Sequence, residues 1–476
     1  MASQPPPSPS LTRAQAWTLA LAGMGSFLVA LDLFAVSTAL PRLRTDLHAS
    51  VAALDWTVNA YTLSFAVLLM SAAALGDRWG RRAVYAGGLS LFAVSSIACA
   101  LAPDAATLIA ARAVQGAGAA VIMSLALALL NAAFPPQRRG WAMGIYGAIT
   151  GLATVLGPTL GGALTQTLSW PWIFWINVPI SLATAVAVLR RVEESLGTQH
   201  PIDVPGLILV TTSALGIVWA IIRAATTGWD KRPVIAALAA GILALAALLA
   251  WQRHARHPMI PLRLFTTRAF STGNAGIFLL NASLAATVFF TAQFFQDAQD
   301  NTPLTGGLHL LPWGLVPLLI APRAGAAADR LGPRPLIVAG LTLQAGGTAT
   351  LAWLATPHQP YLVLISPMLG VGIGFSLAIP ALTKTVVGSV EAADIGTASG
   401  LFTTLRQLGG AFGVAVTSAA FTAAGSYRSP SDFADGYRAA ILLAATLALL
   451  GALTTLATPR QQALPAPLDT PAAARG

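Results

Sequence analysis

The sequence contains very little charge for its length. Charged residues make up 9% of 476, hydrophobic residues make up 55%, and the mean hydropathy is +0.70. Such a chain has too few charged side chains to cover a soluble surface. The net charge of +10 does not indicate a nucleic-acid partner, because the arginines stand singly or in pairs between apolar runs and form no phosphate-binding patch.

Residues for enzyme chemistry are also scarce. The single cysteine, Cys99, excludes an internal disulfide and a cysteine-based metal site. The six histidines lie at loop-like positions without metal-ligand spacing. No Gly-x-x-x-x-Gly-Lys-Ser/Thr string occurs, so ATP-driven transport by this chain alone is not expected. We expect no enzyme activity, no metal and no cofactor.

Long apolar runs dominate the rest of the sequence. Fourteen of them have the length of about 18 to 25 residues that a helix needs to cross a bilayer, and no strand-like alternation is present. This predicts an all-α integral membrane protein with fourteen transmembrane helices. The predicted divisions are a disordered tail (1–16), a six-helix bundle (17–190), two linker helices (204–251), a second six-helix bundle (271–457) and a disordered tail (458–476).

A repeat supports the division into two halves. The string LGDRWGRR, with Asp77, is followed 252 residues later by ADRLGPR, with Asp329. The distance from Asp77 to Gly157 and the distance from Asp329 to Gly409 are both 80 residues. Two agreeing offsets predict a duplicated bundle, and repeats of this kind place a substrate path between the halves.

The distribution of basic residues predicts the orientation. Eighteen of the 27 lie on the side that holds both termini, and six lie in the opposite loops. Because positive residues remain in the cytoplasm, both termini are expected there.

Asp32 is the most informative acid, because it lies well inside the first span. A carboxyl group at the centre of a span costs about 2.5–3.5 kcal/mol, so an intramembrane acid indicates function. We predict that Asp32 exchanges protons. The structural alternative is an Asp that only bonds a neighbouring helix.

Arg112 lies about two turns into the fourth span. A guanidinium keeps its charge and must find a carboxylate, carbonyl groups or water there. We predict a functional role for Arg112, at a depth that would let it communicate with Asp32. The alternative is an arginine that only satisfies backbone carbonyls.

The fifth span carries a series of small residues with a proline. Small residues four apart let helices approach closely, and a proline removes one helical hydrogen bond. We predict that this series packs helices or gates the path, and its members are Gly147, Gly151, Gly157, Pro158, Gly161 and Gly162.

A charged loop joins the second and third spans. Arginines there would orient the helices in the membrane, but this role does not require the acid, the glycine or the repetition of the loop in the second half. We therefore predict a charge loop that holds one conformation and can be released, with the residues Asp77, Arg78, Gly80, Arg81, Arg82, Asp329, Arg330 and Arg334.

Other polar residues within or beside spans are candidates for the substrate path. Structural or interfacial roles remain the alternative for all of them, and they are Asp55, Asn59, Tyr61, Asn177, Arg406 and Gln407.

Taken together, these motifs resemble the major facilitator superfamily, specifically its fourteen-helix drug/proton antiporter branch. The segments that carry the resemblance are LDLFAVSTALP (31–41), AALGDRWGRR (73–82), LIAARAVQGAGAA (108–120), GPTLGG (157–162), WPWIFWINVPI (170–180) and RQLGGAFG (406–413). The resemblance implies a rocker-switch exporter that exchanges an amphipathic compound for protons. It also implies that Asp32 couples protons, that Arg112 assists their movement and that Asp77 with its arginines governs interconversion.

We therefore expect proton-driven export of antibiotics or other lipophilic drugs across a bacterial plasma membrane, by a monomer, with resistance as the result. A proton-coupled uptake carrier for a small metabolite is the alternative, and it would require more polar residues within the spans. A membrane sensor or scaffold ranks last, because neither terminus is long enough for an effector domain.

Overall fold

The part of the chain that the structure describes is made of helices joined by short turns. This computed structural model describes residues 11–196, 203–256, 258–391 and 394–459. The helices are α1 (Arg13–Asp46), α2 (Val51–Trp79), α3 (Arg81–Ala100), α4 (Ala105–Ala133), α5 (Pro136–Thr167), α6 (Trp172–Trp175 and Asn177–Arg191), α7 (Val204–Thr227), α8 (Arg232–His254), α9 (Arg268–Gln293, extended by a π-helical turn, Phe294–Ala298), α10 (Pro303–His309 and Leu311–Leu331), α11 (Pro333–Trp353), α12 (Tyr361–Val387), α13 (Ile395–Ala424) and α14 (Pro430–Thr455).

All fourteen are long and apolar enough to cross a membrane, so the predicted fold class is confirmed. Within α5, α7, α10 and α13 some side chains lie outside the described part. The predicted disordered tails fall largely outside it as well. Of the first tail, residues 13–16 belong to α1, because Thr12 and Gln15 form a capping box at its start.

The two halves repeat each other at the predicted offset of 252 residues. Gly80 separates α2 from α3 with φ 100°, and Gly332 separates α10 from α11 with φ 79°. Only a residue without a Cβ adopts such angles readily. Each predicted charged loop is therefore a one-residue break between two helices. Arg81 already belongs to α3.

The helices α7 and α8 form a hairpin beside the two halves. Asp203 joins the two ends of the hairpin, since its carboxylate accepts hydrogen bonds from Gly206 N at 2.9 Å and from the side chains of Trp251 and Gln252 at 2.7 and 2.8 Å. Apolar residues of α7, including Val218, pack against α2 and α13. The hairpin therefore covers the line where these two helices of opposite halves meet.

The two halves are joined at one end. We call the end that holds Gly80 and Gly332 the charge-loop end, and the opposite one the distal end. Within the described part of the chain, every hydrogen bond or ion pair between the halves lies at the distal end. The path between the halves is therefore closed there. The four contacts are Arg44–Asp297, Gln296–Thr38, Leu304–Gln166 and Ser418–Asp55.

Candidate functional site

Asp32 and Arg112 form a buried ion pair inside the first half. Arg112 Nη1 lies 2.5 Å from Asp32 Oδ2, and both side chains are fully buried. The other carboxylate oxygen of Asp32 accepts hydrogen bonds from Gln115 Nε2 at 3.0 Å and from Asn177 Nδ2 at 2.9 Å. The Asp32 carboxylate thus accepts from three side-chain donors, one of them charged.

Arg112 has further partners that carry no charge. Its Nε donates to the Thr57 carbonyl at 3.2 Å, its Nη1 donates to Gln115 Oε1 at 2.6 Å, and its guanidinium carbon lies 4.2 Å from the centroid of the Tyr61 ring. The Asn177 Oδ1 and Arg112 Nη2 atoms, although buried, have no partner among the described residues. Arg112 is thus held from several sides even without Asp32.

Five helices bring this cluster together. Asp32 lies on α1, Tyr61 on α2, Gln115 one turn after Arg112 on α4, and Asn177 at the start of the longer part of α6. Ser96 on α3 accepts a hydrogen bond from Gln115 at 2.8 Å. Gln115 and Ser96 were not singled out from the sequence. The spacing of three residues from Arg112 could have indicated Gln115, because such residues share a helix face.

Three of the candidate path residues are buried inside the first half in this structure. Tyr61 and Asn177 contact the Asp32–Arg112 pair inside the first half, and both are fully buried. Asn59 is also fully buried, with its two side-chain polar atoms unpaired within the described residues. In this arrangement of the helices, none of the three is open to a path between the halves.

The Gly/Pro series of α5 contacts both its own half and the opposite one. A Cβ on Gly157 would lie 2.6 Å from Phe34 Cβ, and one on Gly161 would lie 2.6 Å from the Ala35 carbonyl oxygen, both on α1. A Cβ on Gly162 would collide with the Pro303 backbone of α10. The string therefore lets α5 lie directly against α1 and against the other half at the distal end.

Other members of the series behave differently. The Pro158 carbonyl faces Gly307 of α10, where a side chain would collide with it. Gly147 has open space around it, so the close packing predicted for this series does not extend to Gly147. Gly151 is half-buried.

In the second half, Gly409 and Gly413 pack on α9 in the same way as Gly157 and Gly161 pack on α1. A Cβ on Gly409 would lie 2.9 Å from the Phe278 carbonyl carbon, and one on Gly413 would lie 2.5 Å from the Ala282 carbonyl carbon. The second predicted offset is thus visible in the packing.

The charge loop is held by an acid just after the end of α6, which the sequence did not indicate. Asp77 pairs with Arg81 at 2.8 Å. The Glu194 carboxylate accepts hydrogen bonds from the backbone N–H groups of Arg82 and Ala83 at 2.8 and 3.2 Å, and it lies 3.5 Å from Arg82 Nε. Glu194 therefore caps the start of α3, where an anion is favoured by the helix dipole.

The remaining charge-loop residues make fewer described contacts. Arg78 and Arg330 are exposed, and Arg334 is half-buried. The side chain of Asp329 lies outside the described part of the chain.

Arg406 and Gln407 lie on α13, in the second half. Arg406 is close enough to Tyr146 of α5 for the two to interact electrostatically. Tyr146 bonds Ser26 of α1 at 2.7 Å. Gln407 is buried. Among the described ion pairs, none contains Arg406. Arg406 therefore interacts with the first half, and no acid among the described residues pairs with it.

Asp55 also lies at the boundary between the halves. Its Oδ1 accepts a hydrogen bond from Ser418 of α13 at 2.7 Å, and the residue is 2% exposed. This candidate for the substrate path therefore lies at the distal end, at a contact between α2 and α13.

A second ion pair closes the distal end. Arg44 Nη2 lies 2.9 Å from Asp297 Oδ1, and its guanidinium carbon lies 4.1 Å from the Tyr427 ring centroid. Tyr427 donates to Gln293 at 2.6 Å. Burial, together with the carboxyl groups of Asp55 and Asp297, raises the pKa of Tyr427, so it remains a donor. The described residues contain no group of three metal-ligating side chains.

The comparisons with known proteins agree with this architecture. The model of the Major Facilitator Superfamily matches residues 22–414. The tetracenomycin C resistance and export protein of Streptomyces glaucescens is 33% identical, over 85% of this chain and 76% of its own length. The cephamycin export protein of Amycolatopsis lactamdurans is 36% identical, over 94% of both chains.

Among solved structures, a D-xylose–proton symporter matches with a TM-score of 0.65 at 16% identity, over 92% of this chain and 97% of the other. At this identity the likeness concerns the fold alone. The family that the motifs predicted is confirmed: the chain belongs to the Major Facilitator Superfamily and is a multi-pass membrane protein.

Proposed function

We propose that this protein exports small amphipathic antibiotics across a bacterial plasma membrane in exchange for protons, and thereby confers resistance. The relatives named for the export of tetracenomycin C and cephamycin support the direction of transport and the substrate class. The proposed proton coupling rests on one observation. Asp32 and Arg112 form a buried ion pair, and the arginine also donates hydrogen bonds to neutral groups.

The charge-loop end faces the cytoplasm in this proposal. Most basic residues, including Arg78, Arg81 and Arg82, lie at that end, and positive residues remain on the cytoplasmic side. Both termini are then cytoplasmic, and the distal end faces outward. With this orientation, the closed distal end would be closed to the outside.

Asp32 exchanges the proton. In the present arrangement it is ionised and paired with Arg112, which keeps its charge at all accessible pH values. When a proton from the acidic outer side neutralises Asp32, Arg112 retains the Thr57 carbonyl, Gln115 and the Tyr61 ring. These neutral groups solvate the cation after its counter-charge is lost, which lowers the free-energy cost of the change in charge state.

Protonation is linked to the path through α1. Asp32 lies on the same helix as Thr38, whose carbonyl accepts a hydrogen bond from Gln296 of the other half at 2.9 Å. The string from Gly157 to Gly162 lies against this helix and against α10. A shift of α1 on loss of the ion pair therefore acts on the distal contacts directly, and the charge loop at the other end would change with it. One chain contains both halves, so a monomer suffices.

The substrate is neutral or anionic rather than dicationic. Arg406 of the second half interacts electrostatically with Tyr146 of the first half, and none of the described ion pairs contains it. A second positive charge there would be repelled, whereas a carboxylate or enolate would be attracted.

The proposal is tested with purified protein in proteoliposomes. An imposed pH gradient, acidic on the side of the distal end, should drive accumulation of cephamycin or tetracenomycin C against its concentration gradient. A host that lacks its own exporters should also grow at higher concentrations of the same compound. Uptake of a nutrient by such a host, without increased antibiotic tolerance, would contradict the proposed direction.

A further inference from the structure

Asp55 is a carboxyl group buried where the two halves meet. It lies near the distal start of α2, is 2% exposed, and has Ser418 of α13 as its hydrogen-bond partner at 2.7 Å. The contact crosses between the halves, unlike the pair of Asp32 and Arg112. Asp55 and Ser418 must separate whenever the distal end opens.

The charged groups on the helices around Asp55 are either bonded to other residues or exposed at the surface. Arg44 of α1 is bonded to Asp297 and stacked on Tyr427, and Arg112 of α4 is bonded to Asp32. The other titratable groups near the distal ends of the surrounding elements are exposed, namely Asp46 on α1, Asp104 before α4, and Arg223 on α7. Within the described part of the chain, no ion pair includes Asp55.

This environment accommodates the neutral acid. An ionised carboxylate buried without a cation costs far more free energy than one hydrogen bond to a neutral hydroxyl returns. The apolar face of α7, with Trp56 of α2, covers the same region. Opening of the distal end would bring Asp55 into water, where a carboxyl group is ionised near neutral pH.

We propose that Asp55 is a second proton-binding site of the transporter, occupied while the distal end is closed against Ser418. On closing, the Asp55 carboxylate takes one proton from the medium at the distal end and forms an O–H bond. On opening, it returns that proton to the same medium. Asp55 thus carries no net proton across the membrane. It makes closure dependent on external pH, and one proton bound on closing changes the equilibrium by up to tenfold per pH unit.

The inference rests on the proposed function for its assignment of the distal end to the outside. The opening of that end can be measured independently of transport. Thr45→Cys and Ser431→Cys place one label on each half at exposed distal positions, and the native Cys99 is fully buried. Pulsed electron–electron double resonance then gives the distribution of distances between the two spin labels in lipid nanodiscs, at pH values from 5 to 8.

The closed fraction of the labelled parent should rise as the pH falls, by up to tenfold per pH unit. Asp55→Asn should remain closed across the range, because it resembles the protonated acid. Asp297→Asn is the matched control, since it removes a distal carboxylate that has a cation partner. It should favour the open state at every pH while the dependence on pH persists.

An Asp55→Asn variant with the same dependence on pH as the labelled parent would overturn the inference. So would a parent whose distances do not change between pH 5 and pH 8. Asp32→Asn separates this outcome from failure of the proposed function. If Asp32 carries the transported proton, that variant loses gradient-driven transport but keeps the pH dependence of the distal distance.

Discussion

Asp32 and Arg112 lie 2.5 Å apart within a single half of the protein, on α1 and α4, rather than facing each other across the path. A change in their pairing therefore alters how helices pack inside that half. It reaches the path through α1, which also carries Thr38 and lies against the small residues of α5. Proton exchange and substrate movement can thus be coupled without sharing one binding site.

Removal of Arg112 should destabilise the protein more than removal of the whole pair. Arg112→Met leaves the Asp32 carboxylate buried without its cation, at a cost of about 3–5 kcal/mol. The double variant Asp32→Asn/Arg112→Met should recover most of this loss but not proton-driven transport. Thermal unfolding in detergent measures the difference. Equal loss in the single and double variants would show that the ion pair does not hold this cluster.

Close packing at the distal end should depend on Gly162. Gly162→Ala places a methyl group against the Pro303 backbone, so the distal end should close less readily and transport should fall about tenfold, the equivalent of about 1.4 kcal/mol. Gly147→Ala is the matched control on the same helix, because Gly147 has open space around it. The two variants are compared by initial rates of drug transport. Equal rates would contradict the role assigned to the string.

Glu194 should stabilise the charge loop. Glu194→Gln removes the charge that accepts from the N–H groups of Arg82 and Ala83, and the expected loss is about 1 kcal/mol. Hydrogen exchange at the start of α3 should increase accordingly. Glu193→Gln, at the exposed neighbouring position, should leave exchange unchanged. Increased exchange in both variants would indicate a general charge effect instead of a specific cap.

The charge of Arg406 should set substrate preference. Arg406→Gln should weaken transport of anionic compounds by about tenfold, because the attraction between the arginine and the anion is lost. It should raise transport of a cationic dye such as ethidium. Transport of both compounds is measured in the same proteoliposomes. A parallel loss for the anion and the cation would assign Arg406 a structural role.

The spans and the repeat were predictable because they depend on local composition. Hydropathy alone indicates where α1 to α14 lie in the sequence. Gly80 and Gly332 mark the two equivalent turns, because glycine readily adopts the positive φ angles found there. Contacts between distant residues were not predictable in this way. Arg44 and Asp297 are 253 residues apart, and Asp55 and Ser418 are 363 apart.

Such pairs depend on how helices are rotated and offset against each other, which periodicity does not specify. For the same reason the sequence predicted that Asp32 and Arg112 act together but not that they touch. It offered Tyr61 and Asn177 as candidates for the path, but it did not indicate that their side chains contact the ion pair.

The most direct test of proton–drug coupling is to measure how many protons the Asp32→Asn variant moves for each drug molecule. Proteoliposomes that hold a pH-sensitive dye report proton flux, and labelled antibiotic reports drug flux. Asp230→Asn is the matched control, since Asp230 is 77% exposed in the turn between α7 and α8. We predict that the control moves protons and drug in a fixed ratio, whereas Asp32→Asn equilibrates drug down its gradient without proton movement. Proton-driven accumulation by Asp32→Asn at the parent level would contradict the account.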